Sequence, residues 1–70
     1  MANLAAHITG TVVRIEKKAG DPVTEGEAVV ILESMKMEMP LEATSTGTVK
    51  EIRCNEGQAV SEGDVLAVLE

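Results

Sequence analysis

Hydrophobic and polar residues alternate along this chain in short runs that turn residues separate at regular intervals. The clearest runs, rich in Val, Ile, Thr and Leu, are Thr11–Lys17, Ala28–Glu33, Thr48–Cys54 and Val65–Leu69, and weaker ones are Leu4–Ile8 and Met37–Ala43. Gly stands with Asp, Asn or Pro between them, for example in residues 19–22 and 55–58, as in tight turns. Such spacing predicts an all-β sandwich or small barrel, and no segment has the length and period of a helix.

An internal repeat organises these predicted strands. Residues 1–33 align without a gap on residues 38–70, and 13 of the 33 pairs are identical, where unrelated segments would share roughly two or three. One copy has too few strands to bury a core alone. We therefore predict a single domain, residues 1–70, built from two copies with pseudo-two-fold symmetry and a junction at residues 34–37. The chain ends should then lie close together, opposite that junction.

Size and composition limit what the domain can do. A chain of 70 residues buries a modest core, and without Phe, Tyr or Trp this core must consist of Val, Ile, Leu, Ala and Met. Small aliphatic residues make poor walls for a deep ligand pocket. The sequence also shows no constellation of Ser, His and Asp suited to catalysis, so we expect a non-catalytic domain.

The net charge and the cysteine content limit which classes of partner and which cellular compartment are expected. The net charge of −6 argues against nucleic acid and against anionic membrane surfaces. A single cysteine, Cys54, cannot form an internal disulfide, which favours a reducing compartment. No leader of charged and then apolar residues is present, and no apolar run approaches the ~18 residues of a membrane span. We expect a cytoplasmic domain that is monomeric in isolation.

The junction carries the most informative residue, Lys36. An amine at the tip of a hairpin is exposed and within reach of another protein's active site. A lysine has an ordinary pKa near ~10.4 and is protonated at neutral pH, and nearby Glu33 and Glu38 would favour the charged form. Lys36 is therefore better suited to accept an acyl group from an enzyme that supplies the base than to act as a catalytic nucleophile.

Two methionines, Met35 and Met37, flank this lysine. If strand alternation continues through the junction, both lie on the face opposite Lys36. Exposed methionines would suggest a surface that a partner reads, because this side chain is flexible and polarizable. The alternative is that both cover the end of the core and that Lys36 is an ordinary solvated turn lysine.

The junction and its flanks resemble one known family. Glu33-Ser34-Met35-Lys36-Met37-Glu38 is similar to the Glu-Ala-Met-Lys-Met motif of biotinyl domains, the carboxyl carriers of biotin-dependent carboxylases. Gly20-Asp21-Pro22-Val23 with Gly26 resembles the turn upstream of the biotin lysine, and residues 47–49 and 57–63 resemble the downstream half. The resemblance implies a flattened barrel of two four-stranded antiparallel sheets with the modified lysine on an exposed hairpin. Ser34 replaces the usual Ala, and Ala6–Gly10 lacks the proline of the family's Ala-Pro-Met-x-Gly segment.

The resemblance also implies a function. Lys36 would carry covalent biotin, Met35 and Met37 would be flanking recognition residues, and Glu33, Ser34 and Glu38 would form the hairpin context. A biotin protein ligase would attach the biotin, a biotin carboxylase would load a carboxyl group, and a carboxyltransferase would receive it from the swinging arm. Two alternatives stay open. One is a lipoyl carrier, whose site resembles Asp-Lys-Ala, and the other is an unmodified interaction module of the same fold.

We expect no functional role for two further residues, His7 and Cys54. His7 is the only histidine and has Thr44 as its repeat mate, so we expect a turn or surface position rather than a metal ligand. Cys54 corresponds to Lys17 in the first copy. We interpret it as a partly exposed thiol at a strand edge.

Overall fold

Eight β-strands make up the regular structure of residues 2–70, which are the residues that the computed structural model describes. They are Ala2–Ala5 (β1), Gly10–Ile15 (β2), Pro22–Val23 (β3), Ala28–Ser34 (β4), Met37–Glu42 (β5), Gly47–Ile52 (β6), Ala59–Val60 (β7) and Val65–Leu69 (β8). All six predicted runs form strands, with bounds that differ from the prediction by at most three residues. Within this part of the chain, no helix is long and apolar enough to cross a membrane.

The strands form two four-stranded antiparallel sheets that pack as a flattened, open barrel. Their orders are β1-β8-β6-β3 and β5-β4-β2-β7, and every pair is antiparallel. If each strand is replaced by its equivalent in the other repeat, the first order becomes the second. Each sheet therefore takes strands from both copies, and neither copy could form a sheet of this kind alone. The expected all-β architecture is confirmed.

Equivalent turns join the two copies through matching hydrogen bonds. The Gly20 amide donates to the carbonyl of Val49 over 2.8 Å, and the Gly57 amide donates to the carbonyl of Val12 over 2.6 Å. Both glycines have a left-handed backbone, with φ of 95° and 87°, which residues bearing a Cβ rarely adopt. The repeated Gly in the turn sequences is thus explained by a turn that reaches across to the other copy.

The core lies between the sheets and is built from aliphatic side chains of both copies. Leu32 and its repeat mate Leu69 are 0% and 1% exposed, and burying one such side chain contributes about 1.5–3 kcal/mol. The other members of the buried cluster are Leu4, Ala6, Val12, Val23, Val29, Val30, Leu41, Ala43, Val49, Cys54, Val60, Leu66 and Ala67. This core supports β4 and β5, the two strands that the junction connects.

The two shortest strands, β3 and β7, were not predicted from the residue pattern. Pro22 was assigned to a turn, and two residues are too few to show alternation. Val23 and Val60 are nevertheless each 3% exposed and contribute to the core. Pairing of β3 with β6 and of β7 with β2 completes the four strands of each sheet.

Cys54 is buried, with 5% of its surface exposed, so the prediction of a partly exposed thiol is wrong. The strand pattern used for that prediction does not apply, because β6 ends at Ile52. The Arg53 amide bonds to the Leu66 carbonyl and holds this segment against the core. Burial raises the pKa of the Cys54 thiol, which further reduces its reactivity.

Residues near the two chain ends lie together at the position that the repeat makes equivalent to the junction. Ala2 pairs with Leu69 across β1 and β8, as the symmetry predicts for residues near the two ends. Met1, which the repeat places next to Glu70, lies outside the described residues.

A surface ion pair between Lys17 and Glu27 gives the stability of the fold a dependence on pH. The Glu27 carboxylate accepts a hydrogen bond from the Thr24 amide and lies 3.0 Å from the Lys17 ammonium. First the backbone hydrogen bond and then Lys17 lower the pKa of Glu27 below its ordinary value of 4.5. Because the folded-state pKa is the lower one, this stabilisation is present above the unfolded-state pKa and is lost as the pH falls through the folded-state pKa.

We therefore expect Glu27→Gln to lower the urea midpoint at pH 7 and to lower it progressively less as the pH falls through the folded-state pKa, where the wild-type carboxylate gains its proton. Equilibrium unfolding over a series of pH values from 7 downward measures this. Glu25→Gln removes the same charge from the same turn without contacting Lys17 and is the matched control. Equal effects of the two substitutions, or an effect of Glu27→Gln that does not change with pH, would contradict the assignment.

Candidate functional site

The junction forms the tip of the hairpin between β4 and β5. The two strands pair from Ala28 with Glu42 to Ser34 with Met37, so only Met35 and Lys36 form the loop. We call residues 33–38 the Lys36 hairpin. A ladder of this length fixes the base of the loop and directs its two residues away from the sheet.

Both loop residues have a left-handed backbone, with φ of 54° at Met35 and 65° at Lys36. Positive φ at both central positions is the signature of the type I′ turn, whose twist matches that of the flanking strands. Asn and Gly usually fill these positions, and other residues cost about 1–2 kcal/mol each there. The strand pairing below the turn must offset this cost. The turn therefore departs from its preferred composition to place a methionine and a lysine at the tip.

Lys36 is exposed, and so are the two methionines on either side of it. Met35 is 91% exposed and Met37 is 62% exposed, and no other large hydrophobic residue among residues 2–70 is exposed. The alternative in which the methionines cover the end of the core is therefore wrong. Strand alternation does not continue through the junction either, because the turn begins after Ser34.

The charged neighbours leave the Lys36 amine unpaired. Glu33 and Glu38 are exposed and lie directly opposite each other across the strands, but neither forms an ion pair with Lys36 in the described part of the chain. Instead, a carboxylate oxygen of Glu38 lies 3.9 Å from the Arg14 guanidinium. The amine is thus free to react or to be bound without first breaking an internal contact.

Gly10 supports the hairpin from the neighbouring strand, and sequence reasoning assigned it no role. A Cβ at this position would overlap the carbonyl oxygen of Glu33 and would lie 3.4 Å from the Cβ of Ser34. Gly47 makes the equivalent close approach to Glu70. The identity of Gly10 and Gly47 in the repeat was the only signal of this packing. The base of the hairpin therefore depends on a position without a side chain.

The remaining candidates lie apart from the hairpin. His7 is exposed in the connection between β1 and β2, as predicted. Across residues 2–70, no group of His, Cys, Asp or Glu side chains is arranged to hold a metal ion. A shallow groove lined by Asn3, Val68 and neighbouring residues of β6 lies on the other sheet. Lys36 does not line this groove and is exposed at the tip of its hairpin, so what the site presents is a primary amine open to solvent.

A projecting amine fits a cofactor that is attached covalently, since an amide bond needs one exposed nucleophile and no binding cavity. The small barrel beneath it fits the same purpose, because the pairing of β4 with β5 extends to Ser34 and Met37 and fixes the base of the turn. Together the fold and the site define an attachment domain, in which the protein supplies a support and the attached group supplies the chemistry.

Comparison with protein families assigns this class to a known group. Residues 1–69 match the biotin/lipoyl family model, which is described as "Biotin-requiring enzyme". The chain therefore belongs to the biotin/lipoyl attachment family, whose domains are non-catalytic carriers. The family predicted from the Lys36 motif is confirmed.

Curated relatives are similar in sequence to this chain over part of their length. A biotin/lipoyl attachment protein of Bacillus subtilis is 46% identical over 40 residues, which are 57% of this chain and 55% of the relative. Biotinylated protein TB7.3 of Mycobacterium bovis is 42% identical over 41 residues, which are 59% of this chain and 58% of the relative. The matches thus span somewhat more than half the length of these relatives.

Solved structures reproduce the fold over nearly the whole chain. The Kluyveromyces lactis urea carboxylase matches with a TM-score of 0.94 and 36% identity over 99% of this chain and 6% of its own. The lipoyl domain of the 2-oxoglutarate dehydrogenase complex from Azotobacter vinelandii matches with a TM-score of 0.75 and 37% identity, over 89% of this chain and 78% of its own. The fold is therefore shared by a carboxylase and by a lipoyl domain.

Proposed function

We propose that this chain carries biotin as an amide on Lys36 and moves an activated carboxyl group between a biotin carboxylase and a carboxyltransferase. The observation that carries the proposal is the exposed type I′ turn, which presents the unpaired Lys36 amine between two exposed methionines. The domain itself catalyses neither reaction. It supplies the attachment point, a rigid support and a surface for partner enzymes.

Attachment requires a partner, because a free carboxylic acid does not acylate an amine until its carboxyl group has been activated. In the proposed reaction a biotin protein ligase supplies biotin with an ATP-activated carboxyl group. The Lys36 ammonium loses one proton to a base of the ligase, and the resulting amine attacks the activated carbonyl carbon. A second proton is lost from nitrogen as the amide forms and the nucleotide leaves. Lys36 forms no ion pair with any residue from 2 to 70, which favours this step because no such pair has to be broken.

Two comparisons support biotin over lipoate. The urea carboxylase superposes with a higher TM-score than the lipoyl domain does, 0.94 against 0.75. A long-chain acyl-CoA carboxylase also matches, with a TM-score of 0.87 over 94% of this chain. The Met-Lys-Met arrangement at the tip points the same way, because the lipoyl site resembles Asp-Lys-Ala. The two carboxylase structures also support a carboxylase as the partner system.

A tethered arm would give the carrier its advantage. A group held on a short flexible tether reaches an effective concentration on the order of millimolar at sites within its range. The biotin-lysine arm would extend from the end of the hairpin, and the rigid ladder of β4 and β5 would set the point from which it swings. Transfer between two active sites then needs no release of the intermediate into solvent.

The deciding experiment is the intact mass of the chain after incubation with a biotin protein ligase or with a lipoate ligase, each supplied with ATP and both cofactors. We expect the mass increment of one biotinyl group and a more anodic band on a native gel, as loss of one positive charge takes the net charge from −6 to −7. A lipoyl increment alone would favour the lipoyl carrier, and no increment from either ligase would favour an unmodified interaction module.

A further inference from the structure

We propose that Met35 and Met37 form a second modification site, at which reversible oxidation to methionine sulfoxide controls attachment at Lys36. This inference rests on the proposed function, because it concerns access of the ligase to the same hairpin. It adds a chemical class of reagent, a peroxide, and a form of regulation. The argument starts from the contrast among the methionines of the chain.

The two methionines of the tip differ from the third described one in accessibility. Met35 and Met37 are 91% and 62% exposed, whereas Met39 is only partly exposed in β5. Oxidation of a thioether requires an approach of the oxidant to sulfur, so exposure governs the rate. A peroxide should therefore oxidise the tip selectively and leave Met39 as an internal reference.

The reaction needs only a peroxide of the general type ROOH. The sulfur lone pair attacks the terminal peroxide oxygen, the O–O bond breaks, an S=O bond forms and ROH leaves. Sulfur loses two electrons and the peroxide gains them. A thiol-dependent methionine sulfoxide reductase reverses the change, as two thiols become a disulfide and the oxygen leaves as water.

Oxidation removes the exposed apolar surface that distinguishes this tip from the rest of the described surface. Met35 and Met37 are the exposed large hydrophobics among residues 2–70, and they flank the amine on both sides. Sulfoxide formation makes each side chain polar and chiral. An apolar contact that a ligase makes on either side of Lys36 would then be replaced by a desolvated S=O group. The fold should be unaffected, since neither side chain contributes to the core.

The test uses the full, unmodified chain and a biotin protein ligase. After mild treatment with hydrogen peroxide, peptide mass mapping should show oxygen on Met35 and Met37 ahead of Met39. The initial rate of biotinylation should then fall about tenfold, which corresponds to the loss of one good apolar contact. Reduction with methionine sulfoxide reductases A and B should restore the rate, and far-UV circular dichroism should not change.

Two variants separate the tip from other oxidised sites. Met35→Leu/Met37→Leu keeps apolar side chains that peroxide cannot oxidise, and its labelling should be insensitive to peroxide. Met39→Leu is the matched control and should lose labelling rate on oxidation as the wild type does. An unchanged rate in wild-type chain oxidised at Met35 and Met37, or a loss of rate that reductase does not restore, would overturn the inference. Failure of the untreated chain to be labelled would instead overturn the proposed function.

Discussion

Lys36→Arg is expected to reduce biotin attachment to background while leaving the fold and the stability unchanged. The guanidinium keeps the positive charge but does not lose its proton at accessible pH, so it offers no nucleophilic lone pair to an activated acyl group. Lys36 is exposed and forms no ion pair in the described part of the chain, so the substitution breaks no contact. Intact mass and avidin binding after incubation with a biotin protein ligase measure the outcome.

Lys18→Arg provides the matched control for this prediction. Lys18 is also exposed. Its hydrogen bonds with Asp21 are made by its backbone, since its amide donates to the Asp21 carboxylate and its carbonyl accepts from the Asp21 amide. Replacing Lys18 removes an exposed lysine amine outside the Lys36 hairpin, so labelling should stay at the wild-type level. Wild-type labelling of the Lys36→Arg chain would refute Lys36 as the acceptor. A lowered unfolding midpoint would show that the amine has a structural role that the hairpin geometry does not indicate.

The repeat explains why so much of the fold could be predicted from the sequence. Identical residues at equivalent positions, such as Leu4 and Leu41 or Val12 and Val49, occupy equivalent buried places, so one pattern predicted two halves. Prediction failed where a segment is too short or too irregular for alternation. Pro22–Val23 is a strand of two residues, and Cys54 follows a strand that has already ended.

The candidate site was predictable in position but not in geometry. Symmetry alone indicated a projecting connection at residues 34–37, and the resemblance of Met35-Lys36-Met37 to a known motif suggested its chemistry. The left-handed backbone of Met35 and Lys36 could not be predicted, since neither residue favours positive φ and the conformation is imposed by the pairing of β4 with β5. The support from Gly10 also depends on a long-range approach to Glu33 that no local pattern encodes.

That support gives the second large expected effect, since Gly10→Ala should destabilise the fold and slow biotinylation of the molecules that remain folded. The added Cβ would overlap the Glu33 carbonyl oxygen, so β2 and β4 must move apart where Thr11 pairs with Glu33. Overpacking of this kind typically costs about 1–3 kcal/mol. The displacement occurs at the base of the Lys36 hairpin and should change the presentation of the amine as well as the stability.

Gly47→Ala separates these two consequences. Its Cβ would overlap the Glu70 carbonyl oxygen in the equivalent position of the other sheet, so the cost in unfolding free energy should be similar. The Lys36 hairpin belongs to the sheet that this clash does not touch. Urea unfolding should therefore show comparable losses for both variants, whereas the rate of labelling per folded molecule should fall for Gly10→Ala alone. Equal labelling rates would mean that Gly10 contributes only to stability, because the positioning role requires a difference between two glycines that the repeat makes otherwise equivalent.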